Sequence, residues 1–147
     1  MFGKFRFLDL GDLTWNVEHK LVCPSNAIGT VDLYQVTHHG MNISNNPVLL
    51  RSLKPHVAVM NNGPRKGGHP EVLKWLRAVR SLEDIYQVHR NLDTKDEENV
   101  APEFIANLGA EEGCSAHFIK VSVAADGNSY VVTNGRTGQP RRYLIRN

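Results

Sequence analysis

Apolar and polar positions alternate along this chain in short runs, separated by Gly, Pro, Asn and Asp. Over residues 4–10, Lys4, Arg6 and Asp9 interleave with Phe5, Phe7, Leu8 and Leu10, a strand pattern that closes at Gly11-Asp12. Residues 14–30 carry Pro24, Ser25, Asn26 and Gly29 and read as a loop with a short helix near Trp15. A second strand, 31–37, runs into His38-His39-Gly40. Pro47 then opens one or two helical turns that Lys54-Pro55 stops. A β-branched third strand, 56–60, ends at Asn61-Asn62-Gly63. After the loop Pro64-Arg65-Lys66-Gly67-Gly68-His69, Pro70 starts the best helix of the chain. There Val72, Leu73, Trp75, Leu76, Val79 and Leu82 recur at helical spacing, with Lys74, Arg77 and Arg80 opposite.

Residues 85–89 read as a fourth strand, and the acidic stretch 90–103 as a solvated excursion. Clean alternation over 118–123, the turn signal Asp126-Gly127 and the run 130–133 predict a hairpin, with an edge strand at 142–145. Strands alternating with helices and then a hairpin predict an α/β layered domain with an antiparallel end.

Composition narrows the class. With 41% hydrophobic and 22% charged residues, the 147-residue chain can bury a core, which excludes a disordered tail. No apolar run approaches the ~20 residues of a membrane-spanning helix. The formal charge of +2 is spread along the chain and does not by itself indicate nucleic acid. Cys23 and Cys114 match no metal-finger spacing and are free thiols or one bridge.

Candidate chemistry collects just past the predicted strands. Asp12 follows the first, His38 and His39 the second, Asn61 and Asn62 the third, and His89 ends the fourth. In an open α/β sheet, strand C-termini line the crevice where ligands bind. A carboxylate and several imidazoles there are donors that Zn²⁺, Mn²⁺ or Fe accept. Each also has a structural reading: Asp12 as a turn residue, His69 as the N-cap of the long helix, and His89 as a half-buried strand residue. Arg65, Lys66 and the start of that helix would attract an anionic substrate group. Arg136, Arg141, Arg142 and Arg146 read as a solvated strand face. No serine or cysteine lies in a nucleophile motif.

Three segments, Leu-Asp-Leu-Gly-Asp12, Thr-His38-His39-Gly, and Asn61-Asn62-Gly followed by Gly-His69-Pro, together resemble the metallo-β-lactamase superfamily, in the order of its ComEC-like hydrolase branch. The resemblance covers roughly residues 5–90. It implies a metal-dependent hydrolase of phosphodiester or other ester bonds, with zinc as the expected divalent ion. It carries Asp12 and His38 over as metal ligands and His69 as an active-site histidine. His39, Asn61, Asn62, Arg65 and Lys66 become substrate-binding candidates. The superfamily signature His-x-His-x-Asp-His is not in this sequence.

The expected fold is therefore the C-terminal half of an αββα metallo-β-lactamase-like sandwich, a single partial domain over 1–147. It should have a mixed sheet with helices on one face and a C-terminal hairpin. Such a half carries an incomplete metal site, so activity alone should be weak or absent. It would also expose apolar surface that a second copy could cover, making a homodimer an expectation. The competing reading is a non-catalytic interaction or assembly domain whose histidines are structural.

Overall fold

In the computed structural model, which describes residues 2–110 and 112–146, five strands form one parallel sheet in chain order. These are β1 (Phe7–Leu8), β2 (Leu33–Gln35), β3 (Val57–Met60), β4 (Asp84–His89) and β5 (Ile105–Asn107). Helices α1 (Trp15–Val22), α2 (Pro47–Leu53) and α3 (Pro70–Arg77) make the first three crossovers. Strands β6 (Ile119–Val123), β7 (Ser129–Asn134) and β8 (Pro140–Leu144) form a separate antiparallel sheet. The α/β class is thus as read, but the expected mixed sheet is two sheets, one parallel and one antiparallel. Among the described residues, no helix is long and apolar enough to cross a membrane.

The alternation of side chains across the strands sets the layers. Tyr34, Val36, Ala58 and Met60 point to one face and pack with Val22, Leu49, Leu50, Leu53, Val72 and Leu76 of the three helices. Their neighbours Leu33, Val57 and Tyr86 point to the other and pack with Tyr130, Val132 and Tyr143 of the antiparallel sheet. Burial on both faces explains why β3 reads as a continuous apolar run rather than an alternating one. The helices therefore do lie on one face.

The antiparallel sheet crosses the parallel strands. At one end of β7 the Tyr130 hydroxyl donates to the Asp32 carbonyl, just before β2, at 3.0 Å. Four residues on, the Asn134 amide donates to the carbonyls of Glu103 and Ile105, at the start of β5, at 3.0 and 2.9 Å. Three of the arginines read as a solvated face instead join the sheets. Arg141 pairs with Asp84 at 2.8 Å and lies 4.8 Å over the Phe104 ring. Arg136 donates to the Ile105 carbonyl, and Arg146 to the Ser81 carbonyl. Guanidinium groups can do this because their planar donors reach backbone carbonyls from an exposed stem.

Several elements are shorter than the sequence pattern predicts, with β1 at Phe7–Leu8 inside the expected 4–10 and β2 at Leu33–Gln35 inside 31–37. The helix predicted over 70–82 stops at Arg77, since the Ala78 N–H is shared between the Lys74 and Trp75 carbonyls. Tight turns, Val79 N–H to Leu76 and Leu82 N–H to Val79, then carry the apolar stripe onward. The three-residue β5 was not read at all; too short for a periodic signal, it forms because Gln87 and His89 of β4 pair with it.

Buried Asp32 latches both ends of the fold, its carboxylate accepting the backbone N–H groups of Arg6 and Arg146, each at 2.9 Å. Asp32→Asn retains one acceptor and turns an amide N–H₂ toward the other donor. It should cost about 2 kcal/mol, read as a lower urea midpoint at unchanged slope.

Candidate functional site

The C-terminal ends of β1, β2 and β3 bring the first two motifs together. Past β2 the chain turns through Thr37–Gly40 with left-handed backbone at His38 (φ 53°, ψ 45°), His39 (φ 55°, ψ 17°) and Gly40 (φ 79°). Two successive non-glycine residues in that region cost of order 1–2 kcal/mol each, so the surroundings must hold them. Asn45 does so from one side. Its side-chain amide donates to the carbonyls flanking the turn, Thr37 at 2.9 Å and Met41 at 3.2 Å. Its Oδ1 accepts from the buried Tyr34 hydroxyl at 2.9 Å. Asn45 is fixed in turn by Glu18, a fully buried carboxylate on α1 that accepts the N–H groups of Asn45 (2.8 Å) and Asn46 (2.7 Å).

The second wall is the glycine loop. The Gly68 N–H donates to the His39 carbonyl and the His69 N–H to the Gly40 carbonyl, both at 2.9 Å, so loop and turn run against each other. Contact is so close that a Cβ on Gly67 would lie 2.0 Å from the His39 carbonyl oxygen. Gly40 meets the loop as well, with Gly68 N 3.1 Å from where its Cβ would be.

Within this frame the two histidines face different partners. His39 Nδ1 lies 2.8 Å from the Asn61 carbonyl oxygen. A carbonyl only accepts, so Nδ1 carries the proton and Nε2 of the neutral ring has a free lone pair. That Nε2 is 3.9 Å from Asp12 Oδ1. His38 Nδ1 is instead 3.2 Å from the Ser44 hydroxyl. The ring beside Asp12 is therefore His39, where the sequence resemblance placed His38. The reason is the left-handed turn, which rotates the two rings to different sides.

His69 has the opposite tautomer. As N-cap of α3 its Nδ1 accepts the Glu71 N–H at 3.3 Å, so the neutral ring carries its proton on Nε2 and offers a donor. The N-cap role read from the sequence is thus met, and the capping bond leaves Nε2–H as the ring's donor.

The other sequence candidates are placed differently. Asn61 contributes its backbone carbonyl. Asn62 is buried, its amide donating to the carbonyls of His89 (2.7 Å) and Gly63 (3.0 Å). Arg65 pairs with Asp93, while Lys66 stays exposed. Glu71 sits in the first turn of α3 with Asn42 donating to it at 3.1 Å. The anion attraction expected at that helix start is thus partly met by the protein's own carboxylates. Cys23 and Cys114 are free thiols.

A divalent cation fits part of this donor set. Two ligands of one tetrahedral zinc stand about 3.4 Å apart at ordinary bond lengths; Asp12 Oδ1 and His39 Nε2, at 3.9 Å, are within a small side-chain movement of that. Among the described residues, no three His, Cys, Asp or Glu side chains form a group that could hold a metal ion. Among the described residues, Asp12 and His39 are thus at most a pair, one fewer than the three protein ligands of a catalytic zinc. Cavities of about 240 to 400 Å³ open elsewhere, and none of them is lined by Asp12, His38, His39 or His69.

The sequence reading gives no role to Glu18 or Asn45, and names Gly67 only as part of its loop, without the contact to His39. Glu18 carried a usable signal: Trp15, Glu18 and Val22 share one helical face, so a carboxylate sits in an apolar stripe. No protein-family model matches the chain, and comparison with curated proteins and with solved structures found no match.

Proposed function

We propose that this chain supplies part of a metal-dependent hydrolase centre of the metallo-β-lactamase type, acting on phosphodiester or other ester bonds. Asp12 and His39 are the ligands it contributes, with zinc as the first ion to test. His69 is the hydrogen-bond donor to the substrate. The reading requires further ligands of the His-x-His-x-Asp-His type, which these 147 residues do not contain. The observation that carries the reading is the His39 tautomer, locked by the Asn61 carbonyl so that a lone pair faces the Asp12 carboxylate. Ligating histidines are oriented by such a bond from the other ring nitrogen. The motif order on the C-terminal rim of a parallel sheet supports it further.

A divalent cation at this pair would supply Lewis-acid polarisation of the scissile group and a water of lowered pKa. The protein's own share in this reading would come from three side chains. Asp12 and His39 place two acceptors 3.9 Å apart, and His69 Nε2–H would steady an anionic oxygen or protonate a leaving group. Lys66, exposed nearby in sequence, adds positive charge for an anionic substrate.

Calorimetric titration with Zn²⁺ and Mn²⁺ tests the proposal. His39→Asn and Asp12→Ala should each weaken binding at least about tenfold, and His38→Asn far less. Asparagine is used at both turn positions because it tolerates left-handed backbone. Hydrolysis of bis-p-nitrophenyl phosphate by the isolated chain should be weak or absent. Strong turnover by this chain, abolished in Asp12→Ala, would show that the centre is complete without further ligands. If zinc at tens of micromolar leaves the melting temperature unchanged, the histidines are structural and the chain is an interaction or assembly domain. The homodimer belongs to the same proposal, and sizing chromatography decides it. β1 pairs with β2 alone among the described strands, with Phe2 and Phe7 exposed nearby in sequence.

A further inference from the structure

The excursion after β4 reaches the candidate site. Asn91, 6% exposed, donates from its side-chain amide to the carbonyls of Gly67 (3.0 Å) and Gly68 (3.2 Å). Those glycines form the wall against His39, and the Gly68 N–H holds the His39 carbonyl. Asn91 is itself braced: its N–H donates to Asn99 Oδ1 at 2.8 Å, and its carbonyl accepts from Asn99 Nδ2 at 3.1 Å. Asn99 also accepts from Gln87 of β4, whose Oδ-equivalent Oε1 takes the Val100 N–H at 2.7 Å. A buried amide chain thus runs from β4 through Asn99 and Asn91 to the glycine loop.

We infer that Asn91 is a positioning residue for His39, setting the Gly67–Gly68 loop against the left-handed turn and so keeping the His39 ring on the Asn61 carbonyl. The inference rests on the reading of His39 as the working ring. Both glycines have left-handed backbone, φ 74° and 63°, and glycine has the widest conformational range of any residue. Gly67 and Gly68 have no side chains to select one arrangement, so at these two residues the Asn91 donors at both carbonyls do so. Arg65 with Asp93 and the Leu92 N–H on the Pro64 carbonyl (2.8 Å) tie the start of the loop. Thr94 lies in the same excursion, donating to the Asn91 carbonyl at 3.3 Å, but does not touch the loop. It separates loosening of the excursion from loss of the strut.

The test is imidazole nitrogen NMR, which reports each histidine's tautomer without any metal. In the unaltered protein, His39 should show a protonated Nδ1 and a bare Nε2. Asn91→Asp keeps the shape and the Oδ1 acceptor used by the Asp93 N–H but removes both donors to the loop. It should give His39 a mixture of the two tautomers, while Thr94→Ala leaves the ring as it was. Asn91→Ser, neutral and small, should act likewise and replaces Asn91→Asp if that variant does not fold. An unchanged His39 signal in a folded Asn91 variant would overturn the inference, and so would an equal change in Thr94→Ala. In parallel, Zn²⁺ affinity should fall about tenfold in the Asn91 variants. If the unaltered chain binds no zinc, the functional proposal fails, but the tautomer result still decides the role of Asn91.

Discussion

Gly67→Ala should collapse the geometry of the candidate site and destabilise the fold by about 3 kcal/mol, the sum of a left-handed backbone cost and overpacking. The added methyl would lie 2.0 Å from the His39 carbonyl oxygen and 2.8 Å from its carbonyl carbon and Cβ. Those neighbours are backbone, or the first atom off it, and cannot swing aside as a long side chain can. Relief requires the glycine loop to withdraw, which breaks the Gly68 N–H bond to His39 and the His69 N–H bond to Gly40. Denaturant unfolding gives the stability change, and the His39 imidazole signals should lose their single-tautomer pattern. Gly63→Ala in the same loop is the control. Its backbone is not left-handed, and the nearest atoms to its new methyl would be Lys66 Cβ at 3.6 Å and the Lys66 N and O at 3.8 Å, ordinary contacts, so little change is expected.

Glu18→Ala should cost roughly 4 kcal/mol, because two buried backbone N–H groups, those of Asn45 and Asn46, lose their acceptor at once. Asn46 caps α2, accepting the Val48 N–H at 2.9 Å, and Asn45 spans the histidine turn, so damage spreads to both. The pH dependence has a definite sign. Burial pushes the Glu18 carboxyl above its ordinary 4.5, against the lowering effect of the two N–H bonds. Between 4.5 and the raised folded value the native state holds more protons than the unfolded one. Glu18's contribution is therefore full below 4.5 and declines as pH rises through that window, by at most about 1.4 kcal/mol per pH unit. Glu18→Gln should abolish that slope, measured as urea midpoints across the acid range. Burial makes ionising Glu18 less favourable in the folded state than in the unfolded chain, although in either form its oxygens satisfy the two N–H groups. Its contribution is placement: it holds the loop that holds the left-handed turn.

Both variants act on the same object from opposite sides, the turn carrying His38 and His39. Thr-His-His-Gly stood out in the sequence as chemistry at a strand end, and it lies there. Which ring would face Asp12 was not legible, since that depends on successive φ values near +55° imposed by Asn45 and by the glycine loop. Asn45 and Glu18 are 27 residues apart, and Asn91 is 23 and 24 from the glycines it holds. A pattern read in short windows does not register such pairs.

Elements whose signal is local were legible in the residues alone. Period-two alternation marks β6 and β7, proline marks the starts of α2 and α3, and β-branched residues mark β3. Chemistry-bearing residues past β1 to β3 were legible for the same reason, because strand ends are local events. The packing of the layers made the antiparallel strands a sheet of their own, crossing the parallel one. It alone turned Arg136, Arg141 and Arg146 into inter-sheet ties, drew the acidic excursion to the glycine loop through Asn91, and set His39 rather than His38 beside Asp12. Those outcomes rest on buried hydrogen bonds between distant segments. Each donor or acceptor buried by folding must find a partner, and which partner comes within reach is decided by how the layers pack.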